Sequence, residues 1–278
     1  MKKIKVMING LPGNVAQVIT KHAIADERIE VLPYALTGPE IDFSHCHIGD
    51  LAIELIRPDA QEAKINDIIE AHAPFISIDY THPTAINANA RFYCHHQLPF
   101  VMGTTGGDRE KLIDTVRHSS NIAVIAPNMG KQIVGFQAMM AYAAENFPDI
   151  FKGYRLTIKE SHQAGKADTS GTAKAMVEYF NRMGIDFSVD QIEKERDPER
   201  QANMLGVPEA YLSGHGWHTY SLTSADETVR FEFVHNINGR DIYGEGTMDA
   251  VCYLAEKVSE GLTGHVYSMI DVLKAGRH

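Results

Sequence analysis

Residues 4–16 read IKVMINGLPGNVA. An apolar, β-type run ends at Asn9, and the two glycines that follow lead into a segment, 14–25, with helical periodicity. A G-x-x-G-x-x-A turn between a strand and a helix brings backbone N–H groups up to a pyrophosphate, and the helix N-terminus adds partial positive charge. Glycines at such a turn are often only structural. Here the turn heads an alternating strand–helix series, and that context decides for dinucleotide binding. Gly10, Leu11, Pro12, Gly13, Asn14 and Val15 are the expected cofactor contacts.

Working outward, strand-like runs recur at 29–36, 75–80, 98–103 and 122–126, with helical patterns at 61–72, 84–96 and 108–118 between them. This alternation predicts an α/β fold, a Rossmann-like parallel sheet covered on both faces. Ligands gather at the carboxyl ends of such strands. The second run ends at Thr37 and Gly38, with neither an acid for a ribose hydroxyl nor an Arg for a 2′-phosphate at its tip, so the reading leans to NADPH, with NADH also usable. Asp79, Tyr80 and Thr81 end the third run, Gly103, Thr104 and Thr105 the fourth, and Asn128 follows the fifth; all are expected around the cofactor. Lys131, at a helix start beside this edge, is a candidate for the substrate pocket.

Near residue 130 the pattern changes. A helix is predicted over 130–146, a strand over 153–160, a helix over 171–183, and strands over 215–223 and 228–237. Asn238-Gly239 signals a hairpin turn, and two helices, 246–260 and 265–274, close the chain. The expected organisation is a dinucleotide-binding domain of residues 1–129 and 243–278, with 130–242 forming an α+β substrate-binding and oligomerisation domain around a mixed open sheet.

A net charge of -10 argues against a basic face for nucleic acid or an anionic membrane, so anionic ligands must be drawn by local features. Cys46, Cys94 and Cys252 are odd in number and form no CxxC, which reads as a reducing compartment without disulfides. The start, MKKIKVMING, shows neither a signal-peptide core nor a transit segment, and a cytoplasmic location is expected. His45-Cys46-His47 and Cys94-His95-His96 do not offer convergent ligand spacing, and no metal is expected.

Residues 160–175, ESHQAGKADTSGTAKA, put His162 and Lys166 four residues apart and run Ser170-Gly171-Thr172 into a helix start. Ser170 is the expected N-cap. The N–H groups of Gly171 and Thr172 lack intrahelical partners and suit a carboxylate, Lys166 can donate a proton, and His162 can shuttle or orient one. His218 shares a strand face with Tyr220 and either lines a cavity or is a satisfied sheet histidine. The run 196–201, RDPERQ, is read as a solvated loop or helix start.

Together, G10-x-x-G13, VMGTTGGDREKL, MGKQIVGF, the 160–175 stretch, IYGEGTMDAV and YSMIDVL resemble the dihydrodipicolinate reductase (4-hydroxy-tetrahydrodipicolinate reductase) family, nearly end to end and nearest its plant-type branch. The resemblance implies reduction of a cyclic unsaturated dicarboxylate by NAD(P)H in the diaminopimelate route to lysine. It implies Lys166 as general acid assisted by His162, and substrate held by Lys131, His162, Lys166, Ser170, Gly171 and Thr172. It also implies a homo-oligomer, a dimer rather than a tetramer. The chain departs from the family at Gln163, where the usual bacterial pattern has a second His, and at Ala16, where the first motif ends in Gly. Another two-domain NAD(P) dehydrogenase, with a lysine in its second domain and acting on an amino acid or sugar, would not need Ser170-Gly171-Thr172 beside His162 and Lys166. A regulator that binds NADP(H) without turnover would keep the 10–16 and 103–106 turns but has no use for Lys166 and the anion-binding turn.

Overall fold

The computed structural model describes residues 3–276. In chain order the elements are β1 (Ile4–Asn9), α1 (Asn14–Ala25), β2 (Ile29–Val31), β3 (Tyr34–Leu36), β4 (His45–Ile48), β5 (Leu51–Ile56), α2 (Gln61–His72), β6 (Ile76–Asp79), α3 (Ile86–His95), β7 (Phe100–Met102), α4 (Arg109–Arg117), β8 (Ile122–Ile125), α5 (Lys131–Asn146), β9 (Arg155–His162), α6 (Gly171–Arg182) and β10 (Glu193–Glu195). A single turn α7 (Pro198–Arg200), β11 (His215–Thr223), β12 (Arg230–Asn238), α8 (Ile242–Ser259), β13 (His265–Tyr267) and α9 (Met269–Lys274) complete it. The chain divides into two compact units, Met1–Lys131 with Asp241–His278, and Gln132–Arg240.

The first unit is built on a six-stranded sheet of order β13-β8-β7-β6-β1-β2, parallel throughout. Every residue of β6, β7 and β8 is buried, as strands covered on both faces require. Helical stripes close over them, Ile65 and Ile68 from α2, Leu112 and Val116 from α4, around Met7, Phe100 and Met102. The carboxyl ends of β1, β6, β7 and β8 carry the turns that the sequence singles out.

The structure corrects three expectations. The run 29–36 is two strands, because Pro33 supplies no N–H to a ladder: β2 stays beside β1, while β3 joins a separate three-stranded sheet of order β3-β5-β4. Asn238-Gly239 is not a hairpin turn. Gly239 takes φ +76° and donates to the Gly214 carbonyl, and α8 starts at Ile242, its stripe including Met248, Val251 and Leu254. The segment 265–274 is a short strand against β8 followed by a helix, separated by a capping box in which Ser268 and Asp271 satisfy each other's backbone N–H.

The second unit holds a mixed four-stranded sheet, β10-β9-β11-β12, with β10 parallel to β9 and the other pairs antiparallel. One face packs on α5 and α6 through Ile158, Tyr220, Leu222, Met176 and Phe180. Each such buried side chain contributes about 1.5–3 kcal/mol, so β9 and α6, the two elements flanking the loop 163–170, are firmly anchored.

Candidate active site

In the first unit the turn after β1 is shaped by backbone. Gly10 sits at φ +102°, where a Cβ would run into the Tyr80 carbonyl, and its N–H bonds the Leu36 carbonyl at 2.9 Å. Gly13 donates to the Gly10 carbonyl at 2.8 Å and is the N-cap of α1; no side chain caps this helix and no acid lies in its first turn. The N–H groups of Asn14 and Val15 therefore open a helix that favours an anion. Leu11 is buried, and its carbonyl accepts the Thr37 hydroxyl at 2.6 Å. Leu11 and Thr37 thus brace the turn, and their side chains are not free for a ligand. Glu40 folds its carboxylate back over Gly38, where a Cβ would collide with it. The tip of β3 is therefore acidic, although its own residues are not.

Asp79 organises the neighbouring turns from beneath. Fully buried, it accepts hydrogen bonds from Thr104 Oγ1 at 2.6 Å, Thr81 Oγ1 at 2.8 Å, the Tyr93 hydroxyl at 2.8 Å and Asn89 Nδ2 at 2.9 Å. The Tyr80 hydroxyl meets Thr247 Oγ1 at 2.6 Å, and burial pushes its pKa up. The Tyr80 ring lies where a Cβ on Gly103 would be. Asp79, Tyr80, Thr81 and Thr104 therefore hold the 103–106 loop in shape, while Thr105 is exposed. Asn128 uses its Oδ1 to accept from the Gly130 N–H at 2.8 Å. Lys131, expected at the substrate pocket, does not present a free ammonium. Its Nζ lies 2.7 Å from both Glu245 and Asp249, because α8 brings two carboxylates against the start of α5.

In the second unit, β9 ends at His162 and so carries Glu160 and His162 to one end of the sheet. The loop 163–169 bears Lys166, Ser170 is the N-cap, and α6 begins at Gly171. Ser170 Oγ accepts from the Ala173 N–H at 3.0 Å and lies 2.8 Å from His218 Nε2. Ser170 is buried and committed to these two partners, so it acts as the cap rather than reaching a ligand. Gly171 is exposed and Thr172 half-buried, and their N–H groups have no acceptor within the helix. Lys166 Nζ pairs with Asp168 at 2.7 Å, and this bond holds the Asp168 carboxyl below its ordinary range.

His162 Nδ1 lies 3.1 Å from the His215 carbonyl, which only accepts, so Nδ1 carries the hydrogen and Nε2 is left with its lone pair. Nε2 is buried without a partner among the described residues. Burial pushes His162 down to about 4, with Glu160 opposing and Arg196 and Lys166 adding to the fall. His162 is thus neutral at neutral pH, an acceptor and not an acid. Its ring meets His218 edge-on at 5.0 Å, and His218 stacks on His235 at 4.6 Å.

Beneath the loop, Glu160 is wholly buried, ion-paired with Arg196 on one oxygen and accepting the Ser170 N–H at 3.0 Å on the other. Glu160, His162 and His218 bring possible metal-ligating atoms within 4.8 Å of one another, but Arg196 already neutralises the one carboxylate, which argues against a cation. Arg196, which the sequence places in a solvated run, is only 18% exposed in its side chain. Glu160 lies in the 160–175 stretch, where the sequence assigns it no role. Arg196, His218 and His235 come from other strands or loops, and only the alternation of β11 points to His218.

Two family models match the chain. The one described as dihydrodipicolinate reductase, N-terminus, matches residues 4–129, and that for the C-terminus matches 133–273. A chloroplastic 4-hydroxy-tetrahydrodipicolinate reductase 1 of Arabidopsis thaliana is 45% identical over 273 residues, covering 98% of this chain and 78% of the relative. A probable chloroplastic counterpart from Oryza sativa subsp. japonica is 44% identical over 271 residues, covering 98% and 79%. A dipicolinate-bound dihydrodipicolinate reductase from Paenisporosarcina sp. TG-14 shares the fold, with a TM-score of 0.65 at 18% identity over 96% of this chain and 98% of that one. The plant relatives are chloroplastic, which overturns the expected cytoplasmic location.

Proposed function

The chain belongs to the dihydrodipicolinate reductase family, and from that premise we propose how its own residues carry the reaction. It is an NAD(P)H-dependent oxidoreductase that reduces 4-hydroxy-tetrahydrodipicolinate to tetrahydrodipicolinate in the diaminopimelate route to lysine. The residues present fit the nucleotide. The crowded glycines Gly10 and Gly103 let backbone approach closely, and the uncapped start of α1 offers N–H groups to the pyrophosphate. When bound, the reduced nicotinamide supplies the hydride.

The second unit does the rest in this reading. The N–H groups of Gly171 and Thr172, with the Thr172 hydroxyl, hold a substrate carboxylate, and Lys166 adds the positive charge that the chain as a whole lacks. Asp168 occupies Lys166 until a substrate carboxylate takes its place. The 4-hydroxyl leaves as water to give the conjugated ring. As hydride adds to that ring and negative charge develops on its carbon–nitrogen system, Lys166 delivers the proton. His162, neutral and with its lone pair on Nε2, accepts a hydrogen bond and orients the donor. Donors fixed in advance of the reaction carry much of the catalysis in such sites.

The single observation that carries this reading is the geometry that sets Lys166 on a seven-residue loop between His162, the last residue of β9, and the open start of α6, both elements being packed in the core. We further propose a homodimer through the sheet face turned away from α5 and α6, where Val234 is 56% exposed; sedimentation velocity reads this directly. The activity is tested by following NADPH and NADH absorbance with freshly made synthase product. Oxidation of the cofactor is expected, and none with either cofactor sinks the reading.

A further inference from the structure

We propose that Arg196 is a positioning residue for the proton donor, its guanidinium fixing where the Lys166 loop sits. The proposal rests on Lys166 being the acid. Within the loop, the Lys166 N–H bonds the Gln163 carbonyl at 3.0 Å. The wider support comes from across the chain. Arg196 Nε donates to the Lys166 carbonyl at 2.7 Å, and Nη2 to the Asp168 carbonyl at 3.5 Å and to the Glu160 carboxylate. Nη1 donates to the carbonyls of Glu195 at 2.9 Å and Glu160 at 3.4 Å.

One planar group therefore grips the end of β9, the residue bearing the donor and the residue two beyond it. Through Glu160, whose other oxygen takes the Ser170 N–H, it also grips the cap of α6. A guanidinium presents five N–H donors in a rigid fork, which an ammonium cannot imitate. The neighbouring Gln201 supports the same region, its Nε2 donating to the His162 carbonyl at 2.7 Å and the Glu195 carbonyl at 3.1 Å. The segment containing Glu195, Arg196 and Gln201 is thus a brace under the catalytic loop.

The test is Arg196→Lys, which keeps a positive charge opposite Glu160 and removes the fork. A displacement of about 1 Å at a reacting group can cost ~10²-fold, so kcat is expected to fall ~10–10²-fold, with the KM for NAD(P)H little changed. In a Lys166→Ala background the same substitution is expected to cost no further turnover, because the loop no longer delivers the proton. A Glu160→Gln/Arg196→Gln double variant removes both buried charges together, which avoids leaving one unpaired, and it is expected to lose turnover as well. The proposal is overturned if Arg196→Lys turns over like the wild type, if it costs as much without Lys166 as with it, or if the double variant keeps full turnover. Near-wild-type turnover in Lys166→Ala itself is a distinct outcome: it removes the acid on which the proposal stands, and the proposal with it.

Discussion

The turn before α1 and the turn before α6 both open a helix whose first N–H groups can take an anion, but they are held by different means. At residues 10–13 the chain folds on its own backbone, with Gly13 bonded to Gly10 and no side-chain cap on the helix. At Ser170 the cap is a side chain, and it rests on Glu160, Arg196 and His218, none of them in the turn. The first turn suits a nucleotide by shape and dipole. The second holds its N–H donors in place with buried charge, which suits the proposed delivery of a proton there.

The largest effect that separates the two comes from Lys166→Ala. Turnover is expected to fall ~10²–10⁴-fold, the usual loss for a general acid, while the dissociation constant of NAD(P)H, read by fluorescence titration, stays near the wild-type value. Equal losses in both would mean that the two turns do not divide the work in this way.

A smaller effect follows from the imidazoles under the second turn. His162 and His235 are each pushed down to about 4, chiefly by burial, and His218 is pushed well below its ordinary value. A histidine whose folded pKa lies below its unfolded value stabilises the fold fully above about pH 6.5, and this contribution is lost as the pH falls toward about 4. Melting temperature should therefore drop between about pH 7 and about pH 4.5, with a shallower dependence in His235→Phe. An unchanged slope in that variant would show that His235 does not titrate with unfolding.

The same contrast explains what is legible in the sequence. The 10–13 turn and the strand ends near 79 and 103 can be read because strand, turn and helix adjoin in the chain. His162, Lys166 and the Ser170 cap can be read for the same reason. The role of Arg196 and the pairing of His218 with Ser170 cannot, since Arg196 is 36 residues from Glu160 and His218 is 48 from Ser170. Pairing of that range depends on register, which composition does not encode. The ion pairs that occupy Lys131 are hidden in the same way, because Glu245 and Asp249 lie at separations of 114 and 118. The split at Pro33 and the capping box at Ser268 are local, and closer attention to Pro and to Ser-x-x-Asp finds both.

The smallest effect tests how the first turn chooses its nucleotide. Thr37 and Gly38 carry no charge, and on that ground NADPH is favoured; yet the Glu40 carboxylate lies over Gly38. If the adenosine ribose sits at this strand tip, that carboxylate repels a 2′-phosphate and accepts from a 2′-hydroxyl. Glu40 is exposed, so solvent screens the repulsion to a fraction of its buried strength. Glu40→Gln should therefore raise kcat/KM with NADPH relative to NADH by about threefold to tenfold, a difference of up to ~1.4 kcal/mol, without changing kcat at saturation. Because Glu40 lies beyond the tip of β3 in the first unit, its loss should leave the Lys166 step untouched. A change in kcat itself would show that the two turns are coupled in a way their separate construction does not suggest.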